Sequence, residues 1–412
     1  MTLRSSNHLR QLLAIGLVTL LAVACASSPT ATQAGTEAAE GTGSGSADQP
    51  NGTSAPTGSA SEADTEADTA IQADTAGEER LQEISAELDG LDREARRQRL
   101  TELAQEEGQL VEFYGSTNIE DITPVLDAFE EATGIAVSYY RAGGQTVLNR
   151  LLEEAAAGFV GADVVELTAS EMPVLEAEGF LIPLDTPIRE DILEAGRFDT
   201  WLATYINTYI AAWNTDHVSE EERPTTWEEV LQFDGRLSMD VRDFEWFATL
   251  VEGYFMEERG MTEDEAVELF KEAGRNTIFV SGHSIGSQML VAGEFDVNAT
   301  MYHHHTDRFP EDAPYEWEPP IEPIVIAPSG IGILRSTSRP ATALLFLEFM
   351  LTDGQPLLAE SGRTVASTVV EGGLPTGYET IAVDVATVNE EREKWEALFQ
   401  EVAQQSGREP IQ

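Results

Sequence analysis

The pattern of apolar and polar positions in the middle of the chain predicts alternating strands and helices. Short apolar runs rich in β-branched and aromatic residues alternate with stretches whose apolar residues recur every three or four positions. The runs are typical of strands and the stretches of amphipathic helices, and this alternation predicts an α/β fold with a mostly parallel sheet. The predicted strands are 110–114, 136–140 and 162–167, and the helices between them are about 122–133, ended by Gly134, and about 146–157.

Small or hydroxylated residues follow each of the three predicted strands. In a parallel sheet, ligands bind beyond the carboxyl ends of the strands, where loops meet the first turns of helices. We therefore expect these loops to form a binding rim, with ordinary turn chemistry as the alternative. None of them matches a phosphate loop or a dinucleotide fingerprint, so nucleotide binding is not predicted. The rim residues are Ser116, Thr117, Gly143, Gly144, Thr168 and Ser170.

The body of the protein covers residues 109–412. The chain before it divides by composition into three segments. Residues 1–24 have a basic start and an apolar run too short to span a bilayer, which predicts a signal peptide. The run ends at small residues before Cys25, the only cysteine, as lipoprotein signal peptidase requires. We expect lipidation there, and thus a protein on the outer face of the cytoplasmic membrane; an ordinary secretory signal or an uncleaved anchor is the alternative. Residues 25–77 predict a disordered acidic linker, and 78–108 an N-terminal helix.

Charge and cysteine content exclude several classes of protein. The 412 residues include 24 Lys and Arg against 74 Asp and Glu, a formal charge of −50. A surface this acidic does not bind phosphate backbones, so nucleic acid is not an expected partner. One cysteine allows neither an internal disulfide framework nor a zinc site built on several thiolates. No motif requires a cofactor.

Several segments of the body carry a family resemblance. The early ones are EGQLVEFYGSTN, AFEEATGIAVSYYRAGG, LLEEAAAGFVGADVVEL and EAEGFLIPL, and the later ones are YINTYIAAWNTDHV, RPTTWEEVL, VAGEFDVNATMY and SGIGILRSTSRPATALLFLEFMLTDGQPLLAESG. In order and spacing they resemble the extracellular solute-binding proteins of ABC importers, in the iron(III)-family branch of the two-lobed periplasmic-binding-protein type II fold. The resemblance covers about residues 100–412 and is specific to the superfamily, not to a ligand.

The resemblance implies a monomeric receptor that traps a small solute between two α/β lobes and delivers it to the permease subunits of an importer. No bond is made or broken, so the protein is not expected to be an enzyme. The lobes are joined by crossing strands, near 207–214 and near 324–332, with Ser329 and Gly330 giving local freedom. The first lobe is expected at about 109–206 plus about 325–412, and the second at about 207–324.

The second lobe contributes the chemically unusual residues, which include three consecutive histidines. We expect Tyr302, His303, His283 and Asp243 to face the first-lobe rim. On a strand, His303 and His305 would share one face, whereas in a loop all three histidines could converge. The run has three interpretations: hydrogen bonds to an oxyanion or polar organic solute, a metal or metal-chelate site, or a structural or incidental surface run. Arg242 could clamp an anionic group in a fork or be satisfied by a neighbouring aspartate.

By the resemblance, His303 and His304 fall where ferric-ion-binding members carry a tyrosine pair. They are therefore candidate metal ligands, with ferric iron or another metal as the transported solute, and a small oxyanion such as a phosphonate as the alternative. Imidazoles suit zinc, copper, nickel or ferrous iron better than ferric iron.

Two other classes of function stay open. Gly282–Gly286 reads GHSIG, which matches the nucleophile elbow of a serine hydrolase with Ser284 as nucleophile. A structural or adhesive lipoprotein would explain the anchor and the linker, but not a two-lobed core with small-residue loops at one edge.

Overall fold

The structure, a computed structural model, describes residues 76–159, 161–372 and 377–412. The predicted signal peptide, the lipidation site Cys25 and nearly all of the linker lie outside the described residues. Within the described ranges, no helix is both long enough and apolar enough to cross a membrane.

The secondary structure alternates strands and helices along most of the body, as the sequence pattern predicts. The strands are β1 (Leu110–Gly115), β2 (Ala136–Arg141), β3 (Val164–Thr168), β4 (Trp201–Asn214), β5 (Leu237–Asp240), β6 (Thr277–Val280), β7 (Val297–Tyr302), β8 (Tyr315–Glu316), β9 (Ile324–Ile333), β10 (Thr364–Val365) and β11 (Thr380–Ala382). The α-helices are α1 (Ala76–Leu88), α2 (Arg93–Glu107), α3 (Ile119–Thr133), α4 (Gly144–Ala156), α5 (Met172–Ala177), α6 (Trp227–Leu231), α7 (Phe244–Thr249), α8 (Glu263–Gly274), α9 (His283–Val291), α10 (Pro340–Met350), α11 (Gly354–Glu360), α12 (Val385–Glu390) and α13 (Arg392–Gln404). A π-helix, Leu250–Glu258, continues α7, and a 3₁₀ helix, His303–Arg308, follows β7.

The sheet has a parallel group of strands at each end and two crossing strands between them. Its order is β2-β1-β3-β9-β4-β7-β5-β6, with β8, β10 and β11 paired at the sides. Strands β1, β2 and β3 run parallel, and so do β5, β6 and β7. The long strands β4 and β9 pair antiparallel and connect the two groups. The first lobe is built on β1–β3 and the second on β5–β7, so the predicted two-lobed α/β fold with crossing strands is confirmed.

Helix ends follow ordinary local chemistry. Helix α3 ends at Gly134, whose φ of 72° is left-handed and whose N–H donates to the Glu130 carbonyl. Glycine adopts this conformation without a Cβ penalty, which is why the predicted end is correct. Helix α4 begins at Gly144, two residues before its predicted start.

Two helices, not one, precede the first strand. Helix α1 ends at Leu88, and Asp92 caps α2 by accepting a hydrogen bond from the Ala95 N–H at 2.9 Å. Aspartate at this position satisfies an otherwise free N–H of the first helical turn, so α2 starts anew there. The apolar sides of both helices pack into the core of the first lobe. The buried residues are Leu81, Ile84, Leu88, Leu100 and Leu103.

The C-terminal helix belongs to the second lobe, which corrects the expectation that all of 325–412 lies in the first. Trp395 and Phe399 of α13 pack against Phe247, with ring centroids 5.8 and 5.3 Å apart. Both α13 side chains are at most 2% exposed. The chain therefore crosses between the lobes once more after β9, because these aromatic rings are buried only in the second lobe.

Gly330 has a packing role, where the sequence suggested local freedom. A Cβ at this position would lie 2.2 Å from the Trp201 ring, which is fully buried. The two crossing strands approach closely here, β9 at Gly330 and β4 at Ala203. Only glycine leaves room for the indole, so this part of the crossing is tightly packed.

Candidate functional site

A cavity of about 420 Å³ lies between the two lobes. Loops after β1, β2 and β3 form its wall in the first lobe, and the loops after β5, β6 and β7 form the facing wall. These are the carboxyl ends of both parallel groups, where ligands bind in open α/β sheets. The predicted residues that line the cavity are Ser116, Gly143, Gly144, Thr168 and Ser170 from the first lobe and Asp243, His283, Tyr302 and His304 from the second.

Thr117 lies behind the cavity wall and not in it. Its hydroxyl donates to Glu166 Oε2 at 2.7 Å and lies 2.9 Å from the Tyr205 hydroxyl, which donates to it. Glu166 is fully buried, and this burial raises the pKa of its carboxyl. Thr117 therefore supports Tyr205, which lines the cavity.

His303 also points away from the cavity. Residues 303–308 form a 3₁₀ helix, so the strand alternation that would place His303 and His305 on one face does not apply. The His303 ring packs edge-on against Trp317, with centroids 5.0 Å apart. His304 and His305 line the cavity instead. The histidines expected to share a metal, His303 and His304, are thus not brought together in the cavity.

The inward histidines are neutral hydrogen-bonding groups. Burial lowers the pKa of His304 and of His305 well below the ordinary value. The Ser287 hydroxyl donates to the His283 carbonyl at 2.8 Å, so it accepts from His305 Nδ1 at 2.7 Å. Because Nδ1 then carries the hydrogen, His305 Nε2 is an acceptor.

The GHSIG segment has part of the geometry of a nucleophile elbow. Ser284 lies in the first turn of α9, after β6, and its hydroxyl is 3.4 Å from His305 Nε2. A hydrolytic triad needs a third group, a carboxylate, on the other imidazole nitrogen. In this protein Ser287 occupies that place. The Ser284–His305 pair therefore lacks the acid that would orient the base.

An aromatic wall and two polar contacts complete the second-lobe side. His283 Nε2 lies 3.0 Å from Asp243 Oδ1, and the His283 ring stacks on Tyr302 with centroids 3.8 Å apart. Tyr209 meets Tyr302 edge-on at 5.0 Å. The Arg242 guanidinium donates two hydrogen bonds of 2.8 Å to the Asp240 carboxylate, so its charge is paired with a neighbouring aspartate.

The sequence reasoning missed several cavity residues that carry charge. Glu171 directly follows the predicted rim loop and Glu245 comes two positions after Asp243, so adjacency was a usable signal for both. Arg141 lies two positions before the rim residue Gly143, which was a comparable signal. Arg363 lies far along the chain, and nothing in its local sequence indicates a cavity position. All four line the cavity.

The two missed glutamates are buried. Glu171 accepts hydrogen bonds from the Thr168 N–H at 3.2 Å and the Thr168 hydroxyl at 2.7 Å. Burial, and next the negative charge of Glu171, raise the pKa of Glu245 to about 8. Burial likewise raises the pKa of Glu171. In the described part of the chain, no group of three or more His, Cys, Asp and Glu side chains is arranged to hold a metal ion.

The arrangement defines a class: a two-lobed binding protein with a polar cavity between its lobes. The family model of the bacterial extracellular solute-binding proteins matches residues 115–355, more than half of the chain. The chain therefore belongs to this family, and the protein is a solute-binding receptor of the kind that delivers its ligand to an ABC importer. This confirms the resemblance seen in the sequence. No curated protein sequence matches the chain.

Solved structures of similar fold include three from different bacteria. Iron-bound HitA from Pseudomonas aeruginosa has 16% identity and a TM-score of 0.60, covering 71% of this chain and 99% of its own. The ferric binding protein from Campylobacter jejuni has 19% identity and a TM-score of 0.60, with the same coverage. MotA from A. tumefaciens B6, in complex with glucopine, has 16% identity and a TM-score of 0.58, again covering 71% and 99%. At these identities, the likeness concerns the fold.

Proposed function

We propose that the protein captures a small polar organic solute in the cavity between its lobes and hands it, enclosed, to the permease subunits of an importer. The observation that carries this proposal is the composition of the wall: loops from both lobes supply hydroxyls, amides, aromatic rings and charges of both signs to one cavity. A solute that touches both walls stabilises the arrangement in which the lobes are together, and the permease can recognise that arrangement.

Contacts between the lobes flank the cavity. Arg308, in the 3₁₀ helix of the second lobe, donates to Asp121 Oδ2 on α3 of the first lobe at 2.7 Å. Arg392, on α13 of the second lobe, donates to the Ser170 carbonyl in the first-lobe rim. These contacts support the proposal because they can form only when the lobes are closed, and a solute would add to them.

The choice of an organic solute over a bare metal ion rests on the hydrogen-bonding roles in the cavity. His305 donates from Nδ1 to Ser287 and has its acceptor Nε2 at 3.4 Å from the Ser284 hydroxyl, and Tyr302 stacks on His283 with its hydroxyl directed to Tyr209. These polar side chains and aromatic rings can hydrogen-bond and stack with an organic molecule. The fold alone does not choose, since a neighbour of this fold holds iron and another holds glucopine.

Tyr302→Ala is expected to weaken solute binding at least tenfold, because it removes an aromatic face in the cavity. A thermal-shift screen of the full-length protein finds the solute, since a ligand at about 100 times its Kd adds about 2.7 kcal/mol to the free energy of unfolding. Calorimetric titration then compares the variant with wild type. The control is Tyr378→Ala, a tyrosine outside the cavity that contacts Trp317. Equal affinity in Tyr302→Ala and wild type would place the solute elsewhere.

The proposal includes attachment to the membrane through lipidated Cys25, supported by the small residues before it. Membrane fractionation of a Cys25→Ser variant tests this part separately. If the variant stayed in the membrane fraction, the anchor would be an uncleaved apolar segment and not a lipid on Cys25.

A further inference from the structure

We propose that the solute is a zwitterion: its ammonium group binds between Glu171 and Glu245, and its anionic group binds at Arg141. This inference rests on the proposed function and names the class of ligand for the same cavity. It starts from the charges on the cavity wall, most of which are already paired within the protein.

Three ionic groups of the wall have internal partners. Arg242 pairs with Asp240 at 2.8 Å, and Asp243 pairs with His283 at 3.0 Å. Arg363 pairs with Asp121 at 2.7 Å. Arg242 and Arg363 cannot give their charge to a solute without leaving a buried aspartate uncompensated, which is costly. They are structural charges of the wall.

Glu171, Glu245 and Arg141 are different. In the part of the chain that the structure describes, no cationic group lies within 4.0 Å of either glutamate, and no carboxylate lies within that distance of Arg141. The positive group that acts on both glutamates is Arg392, which directs its guanidinium to the Ser170 carbonyl and to Glu396. In the described part of the chain, the cavity wall thus has two carboxyl groups and one guanidinium that have hydrogen bonds but no ion-pair partner.

The two glutamates come from opposite lobes. Glu171 lies at the start of α5 in the first lobe and Glu245 in the first turn of α7 in the second. They are 8% and 4% exposed, and the charge of one disfavours the charge of the other. Both carboxyls line the cavity at the junction of the lobes, and the negative charge of Glu171 disfavours ionisation of Glu245 unless a cation lies between them. An ammonium there would hold both lobes and would be fully bound only when they are together.

The surroundings of the glutamates suit an organic cation. Tyr209 lines the cavity, and the negative charges of Asp243 and Glu245 both act on its hydroxyl. Tyrosine faces attract ammonium groups, more strongly where water is excluded. The Ser284 hydroxyl lines the cavity and donates to His305 Nε2 at 3.4 Å, so its oxygen is a further acceptor for an N–H donor. A hydrated inorganic cation would use none of these aromatic contacts.

The anionic end has a separate site in the first lobe. Arg141, at the end of β2, is exposed and donates to the Asn118 side-chain oxygen at 2.8 Å. Asn118 precedes α3, a helix of 15 residues, and the first N–H groups of that helix have no intrahelical partner. A guanidinium with a free edge beside such N–H groups binds a carboxylate or phosphate.

The test uses the full-length protein and a series of ω-amino acids from β-alanine to 6-aminohexanoate in calorimetric titrations. Each amino acid is compared with the alkanoate that lacks its amine and with the alkylamine that lacks its carboxylate. We expect at least one amino acid to bind, and both matched compounds to bind at least tenfold more weakly. Glu245→Gln should weaken that amino acid at least tenfold. The exposed control Glu220→Gln should leave its affinity unchanged.

A pH series separates this role from a structural one. The groups that face Glu245 are Glu171, Asp243, Arg392 and Ser170. Because burial and Glu171 raise the pKa of Glu245 to about 8, the empty site holds a proton at neutral pH that an ammonium would displace. Affinity for the amino acid should therefore rise from pH 6 to pH 8 in wild type, with proton release, and should lose most of this rise in Glu245→Gln.

The outcomes distinguish this inference from the proposed function. The proposal that the solute is a zwitterion is overturned if an alkanoate binds as tightly as its amino acid, or if no amino acid of the series binds. If a solute of another class binds wild type and is lost in Tyr302→Ala, the zwitterion fails and the proposed capture in the cavity stands. If that solute binds both proteins equally, the proposed capture fails as well.

Discussion

Replacing Arg96 with methionine is expected to lower the free energy of unfolding by about 3–5 kcal/mol. Arg96 of α2 is 5% exposed and donates to Glu348 of α10 through Nε at 3.0 Å and through a terminal nitrogen at 2.7 Å. Thr186 donates to the same carboxylate at 2.7 Å. Methionine fills the space of the arginine stem but leaves the Glu348 carboxylate buried without a cation. The loss follows from that uncompensated charge.

Urea unfolding followed by tryptophan fluorescence measures this effect. The matched control is Arg97→Met, one position along the same helix. Arg97 pairs with Asp353 on the surface, where both side chains are about half exposed. Exposed pairs contribute about 0–1 kcal/mol, so the control should unfold nearly as wild type does. Similar losses in the two variants would show that the buried pair has no special role in holding α2 to the first lobe.

Asp121→Asn is expected to destabilise the protein by a similar amount, about 3–5 kcal/mol, and also to weaken solute binding. Asp121 Oδ2 accepts from Arg363 Nε at 3.0 Å and from an Arg363 terminal nitrogen at 2.7 Å. Arg363 is 4% exposed and lies over the Tyr205 ring at 4.3 Å. Asparagine would leave this cation buried and unpaired in the cavity wall. It would also remove the contact that Arg308 makes across the lobes.

Two further variants separate these effects. Asp127→Asn, an exposed position on the same helix, should change neither stability nor affinity. Arg308→Met removes only the contact between the lobes, and the Arg308 side chain is 30% exposed. It should lower solute affinity with little loss of unfolding free energy. If Arg308→Met left affinity unchanged in titrations, the Asp121–Arg308 contact would have no part in closure.

Local features of the fold could be predicted from the sequence because they depend on neighbouring residues. The strand runs and the helix end at Gly134 are of this kind. The first-lobe rim was also predictable, because parallel strands bring their following loops to one edge. Thr117 is the exception, since its hydroxyl turns inward to Glu166.

The remaining features depend on distant parts of the chain. The pair of Glu171 and Glu245 exists only because the lobes meet, and Arg363 reaches Asp121 across 242 positions. The three histidines begin a 3₁₀ helix instead of extending β7. His303 therefore points away from the cavity, whereas His304 and His305 line it. Residues 392–404 return to the second lobe because aromatic rings there bury Trp395. No local pattern contains this information.

The central claim is that a solute bound in this cavity holds the two lobes together, and the distance between the lobes tests it most directly. Spin labels at Glu130→Cys on α3 and Glu272→Cys on α8 place one probe on each lobe at exposed positions. Cys25 is the only native cysteine, so a Cys25→Ser background makes the labelling specific. Pulsed electron–electron double resonance should show the distance distribution narrowing, on addition of a saturating solute, to the separation of these positions in the structure. A bound solute that leaves the distribution as it is in the ligand-free protein would contradict the account.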